Sequence, residues 1–420
     1  MTTHQIHASE LQREFNRIFA RNPEQLFFCP GRINLIGEHI DYNGGQVLPC
    51  AISMGTYLAV AKNNDKRFRF HCLNFPETAD LQLQSSYSKT GPEWFNYPLG
   101  VIDRILQDGH DLSGLDLLFY GNLPIGAGLS SSASIEVLMG YAFSSLFGMD
   151  IDKKDIALLA KDAENHFIGV NCGIMDQFAV AMGQKDQAIL LNCDTLNYEY
   201  IPFRTTNYSL LIINTNKQRS LAESKYNERF TECGAALKLL KQELSIQHLC
   251  DASLADWELN RYLVNNPVLE KRATHVISEN QRVKDAVIAM QTGDMDLFGK
   301  LLFASHHSLR YDYEVSGKEL DTIVDFCIDY PACIGARMTG AGFGGCAIAL
   351  VHHNKIEDFS EKLLDHYTQQ IGYAPGIFAA EVSEGVGPLQ MVTCYSCCRN
   401  CSIFFSRASW LRALSRFSPS

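Results

Sequence analysis

Nowhere in its 420 residues does the chain hold an uninterrupted apolar run of about 18 residues, the length a membrane-spanning helix requires. The opening segment, MTTHQIHASELQREF, is polar and charged where a secretory leader needs an apolar stretch, so a cytoplasmic location and no membrane partner are expected. A cluster of Lys and Arg is also missing: 36 basic residues stand against 47 acidic ones, a net charge of -11, which excludes nucleic acid as an expected partner. A nucleoside triphosphate remains open as a ligand, because backbone N–H groups and a divalent cation neutralise phosphate without any basic patch. The 14 cysteines lack the spacing of a disulfide framework; Cys29, Cys50, Cys72 and their like stand singly, as reduced thiols in a large core do. The Walker lysine is absent too, since Ala127 stands where it should follow Gly121 and Gly126.

What is present is ordinary in bulk, with 46% hydrophobic and 20% charged residues, and long enough for two or three domains. Apolar spacings of three and four predict helices over 8–20, 94–108, 132–147, 153–168, 225–244, 268–292, 295–309, 318–329 and 355–371. Strands are expected near 26–29, 56–62, 67–73, 115–120, 188–192, 208–214, at CAIALV from 346 and at IFAAEV from 377. Strict alternation of strand and helix is lacking, which favours a two-domain α+β architecture over a doubly wound sheet. The division is placed at 1–204 and 205–385, with a last strand at 376–385 that is expected to return to the first domain.

Three glycine-rich segments carry the chemistry. PGRINLIGEHIDYNGG, residues 30–45, packs Arg32, Glu38, His39 and Asp41 among four glycines, a mixture suited to a pocket wall or to a solvated turn. GNLPIGAGLSSSAS, residues 121–134, follows an apolar strand and opens a helix, so free N–H groups and the helix dipole converge there on an anion. Gly126 and Gly128 permit the turn, and Ser130, Ser131 and Ser132 add hydroxyls. MTGAGFGG at 338–345 has a dinucleotide-like glycine spacing but runs into a strand rather than a helix, which contradicts a dinucleotide fold and suits a turn behind an active site. Between them, Asp176 heads a short apolar helix in NCGIMDQFAVAMG, and Glu164 ends the helix before it.

Together these motifs resemble the galactokinases, in the kinase family named for galactokinase, homoserine kinase, mevalonate kinase and phosphomevalonate kinase (GHMP kinases), from about residue 10 to about 385. The resemblance implies a two-domain GHMP-kinase-like fold with the active site between the domains, and ATP-dependent phosphorylation of the C1 hydroxyl of α-D-galactose, the entry step of galactose catabolism. It puts galactose among Arg32, Glu38, His39, Asp41, Gly173, Asp176 and Tyr226, with Asp176 as base and Arg32 stabilising charge. It puts ATP on Trp94, Gly126, Gly128, Leu129, Ser130, Ser131 and Ser132, and Mg2+ on Ser132 and Glu164. A monomer is expected. Alternatives of the same fold are a catalytically weak sensor of galactose and ATP, or a kinase for N-acetylgalactosamine or arabinose; the intact serine run argues against the sensor.

The end of the chain differs in kind. From Val386 onward there are four arginines and no acidic residue, and Cys394, Cys397, Cys398 and Cys401 crowd together. Four cysteines so close leave no intervening finger to fold round zinc, so 386–420 is expected to be a tail rather than a domain.

Overall fold

A long strand, Pro49–Asn63, is buried at almost every position and forms the middle of the first sheet. Gln25–Asn34 and Gly114–Gly121 flank it, both antiparallel, while Arg67–Cys72 runs parallel to Gly114–Gly121 and Ala79–Gln82 makes an edge. Helices Ser131–Phe147 and Met175–Met182 lie on one face, with Asn96–Gln107 and Lys153–Ala163 packed against them. Helix Ala8–Phe19 covers the other face, setting Leu11 and Phe15 against Leu26, Tyr57 and Leu118. The computed structural model describes residues 6–124, 126–170, 172–217 and 222–390. The cysteine cluster expected to belong to a tail lies outside them.

A second, four-stranded antiparallel sheet has the order Cys333–Thr339, Cys346–His352, Tyr208–Asn214, Gly376–Ala380. Helices Met295–Tyr311, Lys318–Asp329 and Ile356–Ile371 pack on it. The long helix Pro267–Thr292 opens with proline in its first turn, its end capped by the Asn266 side chain, and stops at Gly293 with φ of 74°. A small third sheet joins Gln46–Val47, Gln187–Asn192 and Tyr198–Pro202. The fold is α+β, with two sheet-and-helix units and a cleft between them.

Several elements depart from the sequence expectation. The helix foreseen over 153–168 changes pitch after Ala163: Glu164–Ile168 form a wider π-helical turn that ends at Gly169, φ 88°. The helix foreseen over 225–244 occupies Ala222–Leu240. Strand Cys333–Thr339 was not foreseen, because a fully buried arginine, Arg337, interrupts its apolar pattern. The expected return of 376–385 to the first domain divides at Ala380. Gly376–Ala380 pairs with Tyr208–Asn214 in the second sheet, and only the following residues cross back, through an Ile52–Val382 bridge. The tail also begins later than Val386: that side chain is fully buried, Gly387–Pro388 pairs with Phe27 and Phe28, and the Leu389 N–H donates to the Leu26 carbonyl.

Candidate functional site

Where strand Gln25–Asn34 passes the 126–131 loop, its pairing shifts between Pro30 and Gly31, and a Cβ on Gly31 would stand 2.6 Å from the Leu129 carbonyl. Only glycine fits so close an approach. The next residue, Arg32, is thereby aimed between loop and helix. Its Nε and Nη2 donate to Asp176 Oδ1 and Oδ2 at 2.9 and 2.7 Å, and its Nη1 donates to the Gly128 carbonyl at 2.8 Å. This is the forked, charge-assisted pairing that fixes a carboxylate in orientation as well as in place. Asp176 does not cap its helix; it faces the cleft.

The loop that follows bends back at His39, whose φ of 62° is left-handed. Glu38 is buried: its Oε2 accepts from the Asn34 side-chain amide at 2.8 Å and its Oε1 from the Gly340 N–H at 2.7 Å, with the Arg337 guanidinium 3.2 Å away. The His39 ring has both nitrogens engaged. A carbonyl only accepts, so Nε2 carries the proton toward Ala341 and Nδ1 takes the hydrogen of the Tyr42 hydroxyl, which is itself paired with Tyr313. Burial, then the neighbouring His275, holds the imidazole down to about 3, so it is neutral. Asp41 is pushed up to about 6, chiefly by burial and then by Glu38 and Asp176. A Cβ on Gly173 would come within 3.0 Å of the Asp41 carboxylate. Tyr226 closes the wall, its ring centroid 5.6 Å from that of His39.

These side chains enclose a polar cavity of about 180 Å3 lined by Arg32, Glu38, His39, Asp41, Gly173, Asp176 and Tyr226, together with Cys172, Met175, Gly340 and Ala341. The first unit supplies the charged side chains, and the second supplies Tyr226, Gly340 and Ala341. A second, more apolar cavity of about 310 Å3 is lined by Phe75, Trp94, Tyr97, Phe119 and Ile135 together with Gly126, Ser131 and Ser132. Trp94 donates its indole N–H to the Glu77 carbonyl, which leaves its ring for packing. Leu129 contributes its carbonyl to the Arg32 N–H. Ser130, foreseen on the phosphates, turns away from this cavity and donates to Asp176 instead.

Glu164 sits at the π-helical turn near Ser132, and its Oε2 accepts from the Gln177 side-chain amide at 2.5 Å. Burial raises its carboxyl above the usual range and Asp176 adds to this, against hydrogen bonds from Ser132, Cys172 and Gln177. Glu136, one turn past Ser132, is wholly buried and is pushed well up, by burial first and by Glu164 next. Among the described residues no group of three His, Cys, Asp or Glu is placed to hold a metal ion by itself. The sequence reading missed the supports from the second unit: Arg337, Gly340 and Ala341 stand in or beside the glycine-rich motif it noted, yet nothing local says that they face Glu38 and His39.

Comparison with known proteins decides the family. A model of the galactokinase galactose-binding signature matches residues 13–62, and models of the N-terminal and C-terminal GHMP kinase domains match 96–184 and 286–369. A galactokinase of Clostridium tetani is 48% identical over 381 residues, 90% of this chain and 97% of that protein. The chain belongs to the galactokinase family. A galactokinase of Enterococcus faecalis, 47% identical, is matched over 90% of this chain and 99% of its own length. The crystal structure of Lactococcus lactis galactokinase complexed with galactose aligns with a TM-score of 0.86 at 42% identity, covering 91% of this chain and 99% of that one. A mevalonate kinase structure, at 20% identity and a TM-score of 0.64 over 86% and 99% of the two chains, shares the fold.

Proposed function

We propose that the protein transfers the γ-phosphate of ATP to the C1 hydroxyl of α-D-galactose, giving galactose 1-phosphate and ADP. The observation that carries this reading is the Arg32–Asp176 fork, set in the wall of the smaller cavity and tied through Gly128 to the loop that borders the larger one. Galactose occupies the polar cavity, where Glu38 and Asp41 accept from its hydroxyls and His39 and Tyr226 shape the wall. ATP lies in the apolar cavity, with its base at Trp94 and its phosphates along Gly126, Gly128, Leu129, Ser131 and Ser132 at the start of helix Ser131–Phe147. The two units divide at 204/205, where the chain leaves the small sheet at Pro202 and enters the four-stranded sheet at Tyr208.

Phosphoryl transfer needs an oriented nucleophile, neutralised charge and an acceptor for one proton. Asp176 takes the proton of the anomeric hydroxyl as that oxygen joins phosphorus and the bond to ADP breaks. Arg32 keeps the carboxylate aimed and offers positive charge to the transferred group. Mg2+ fits Ser132 and Glu164, two neighbouring oxygen donors at the nucleotide cavity, since this ion takes few protein ligands alongside phosphate and water. When bound it supplies charge neutralisation on the phosphates. One chain furnishes every group invoked, in keeping with a monomer, and a cytoplasmic location follows from the use of ATP.

The test is ATP-dependent phosphorylation of galactose beside glucose, N-acetylgalactosamine and arabinose. Selective turnover of galactose is expected, and a loss of about 100-fold to 10,000-fold in kcat for Asp176→Ala. Undiminished turnover by that variant refutes its role as base; binding of both ligands without turnover by the unaltered protein refutes the enzymatic reading.

A further inference from the structure

His39 keeps a left-handed backbone, φ 62°, at the bend of the 34–41 loop, a conformation that persists in a non-glycine residue only where the surroundings over-determine it. Those surroundings are tyrosines from both units. The rings of Tyr313 and Tyr226 lie 4.9 and 5.6 Å from the imidazole, each tilted by 41°, and Tyr42 meets it edge-on at 6.0 Å. Tyr313, two residues past helix Met295–Tyr311, is fully buried, and its ring also rests 4.5 Å from that of His275. Tyr42 packs in turn on Tyr226, 5.2 Å away. Packing accounts for the rings and leaves their hydroxyls to be explained.

The hydroxyls form a chain. Tyr42 Oη stands 2.9 Å from His39 Nδ1 and 2.8 Å from Tyr313 Oη, and Tyr313 Oη is 3.1 Å from Cys233 Sγ. Across the ring, His39 Nε2 lies 3.2 Å from the Ala341 carbonyl. That carbonyl only accepts, so Nε2 bears the single ring proton of the neutral imidazole and Nδ1 accepts. Every other hydrogen is then committed. Tyr42 donates to Nδ1, Tyr313 donates to the Tyr42 oxygen, and the Cys233 thiol donates to the Tyr313 oxygen. The chain runs one way, out of the second unit and into the wall of the polar cavity. At its end the Nε2–H stands between two residues that both line this cavity, and its bond to the Ala341 carbonyl is at the long end of the N–H···O range.

We propose that Tyr42 and, through it, Tyr313 are positioning residues for sugar recognition: they hold the His39 ring in the form that turns an N–H donor toward a galactose hydroxyl. This rests on the functional reading above. Glu38 and Asp41 accept from the sugar, and an accepting nitrogen beside them would only repeat their part. The hydroxyl chain makes His39 their complement, because a sugar hydroxyl accepts as well as donates.

Phenylalanine at either tyrosine keeps the ring and removes the hydroxyl. In 15N-histidine NMR of the full chain, with the His39 signals assigned by their loss in His39→Gln, the proton is expected on Nε2, and Tyr42→Phe is expected to give a mixture of the two ring forms. Calorimetric titration of Tyr42→Phe is expected to show galactose affinity lowered about 3-fold to 10-fold, the worth of one neutral hydrogen bond, with MgATP affinity within about twofold of the unaltered protein. Tyr313→Phe is expected to give a smaller loss in the same direction. A proton on Nδ1 in the unaltered protein overturns the assignment, as does galactose affinity unchanged in Tyr42→Phe. Equal losses of galactose and MgATP affinity, or a lowered Tm with both affinities unchanged, make the tyrosines supports of the fold and overturn it too. An unaltered protein that does not bind galactose overturns the functional reading, and this assignment with it.

Discussion

Asp41 is the residue at which binding and stability pull in opposite directions. Its carboxyl, raised to about 6 by burial and by Glu38 and Asp176, holds its proton more tightly in the folded chain than in the unfolded one. Its contribution to folded stability therefore falls as pH rises from about 4 to 6, the window in which the unfolded chain has lost that proton and the folded one has not. A sugar hydroxyl that donates to Asp41 favours the ionised form. Galactose binding at pH 6 is therefore expected to release protons, seen by calorimetry in buffers of different ionisation enthalpy, and Asp41→Asn is expected to abolish the release, weaken binding and raise Tm at pH 7.5. Buffer-independent heats in the unaltered protein would rule this out. His39 acts in the opposite sense: held down to about 3, it stays neutral in the folded chain while the unfolded chain takes up a proton below about 6.5, so its contribution to stability is lost as pH falls. The charged members of the sugar pocket were legible in the sequence because Glu38, His39 and Asp41 among glycines have no use in a core. The direction of Ser130 was not, because a left-handed serine reads like any other serine.

Among elements, the loop from Asn34 to Asp41 is held less by its own strand than by the unit opposite. Arg337 donates to the carbonyls of Asn34 and Leu35, Thr339 bonds the backbone of Asn34, Glu279 accepts the Gly37 N–H, and His275 faces the Glu38 carbonyl. Arg337 is the only cation placed on Glu38 among the described ion pairs, and it is fully buried. Replacing it by methionine leaves Glu38 a buried, unpaired charge, a class of change that costs about 3–5 kcal/mol. Denaturant unfolding of Arg337→Met is expected to show that loss together with a raised KM for galactose, and Arg337→Lys an intermediate effect, because lysine lacks the fork that serves carbonyls and a carboxylate at once. A stability loss with KM untouched would make Arg337 a support of the fold with no hold on the sugar. Strand Cys333–Thr339 escaped sequence reading for the same reason: its arginine is acceptable only because partners from a distant part of the chain surround it, and local periodicity carries no such information.

For the whole molecule, the C-terminal boundary is the feature a sequence reader misplaces. Composition changes at Val386, yet Val386 is buried and its N–H donates to the Val180 carbonyl, and the first sheet still takes in Gly387, Pro388 and Leu389. Truncation after Gln390 is expected to leave stability and turnover as they are. Truncation after Gly385 removes the buried Val386 side chain and an edge strand, and should lower unfolding free energy by about 1.5–3 kcal/mol or more. Equal stability of the two shortened chains, compared by denaturant unfolding, would show that the last pairing contributes nothing. The global plan, two α+β units with motifs in family order, was legible because it is carried by long periodic segments; where the chain crosses between sheets was not, because Ala380 and Val382 look alike in sequence and differ only in which edge is free to receive them.

The bonds between Asn34 and Thr339 join residues 305 positions apart. At 5–20 residues per second, a ribosome needs roughly 15–60 s to travel that distance, and for all of that time the emerging first unit carries Glu38 without the guanidinium that neutralises it. Sugar recognition is thus acquired late in synthesis, in a single step, and a nascent chain stalled before residue 333 should pass over a galactose column unretained.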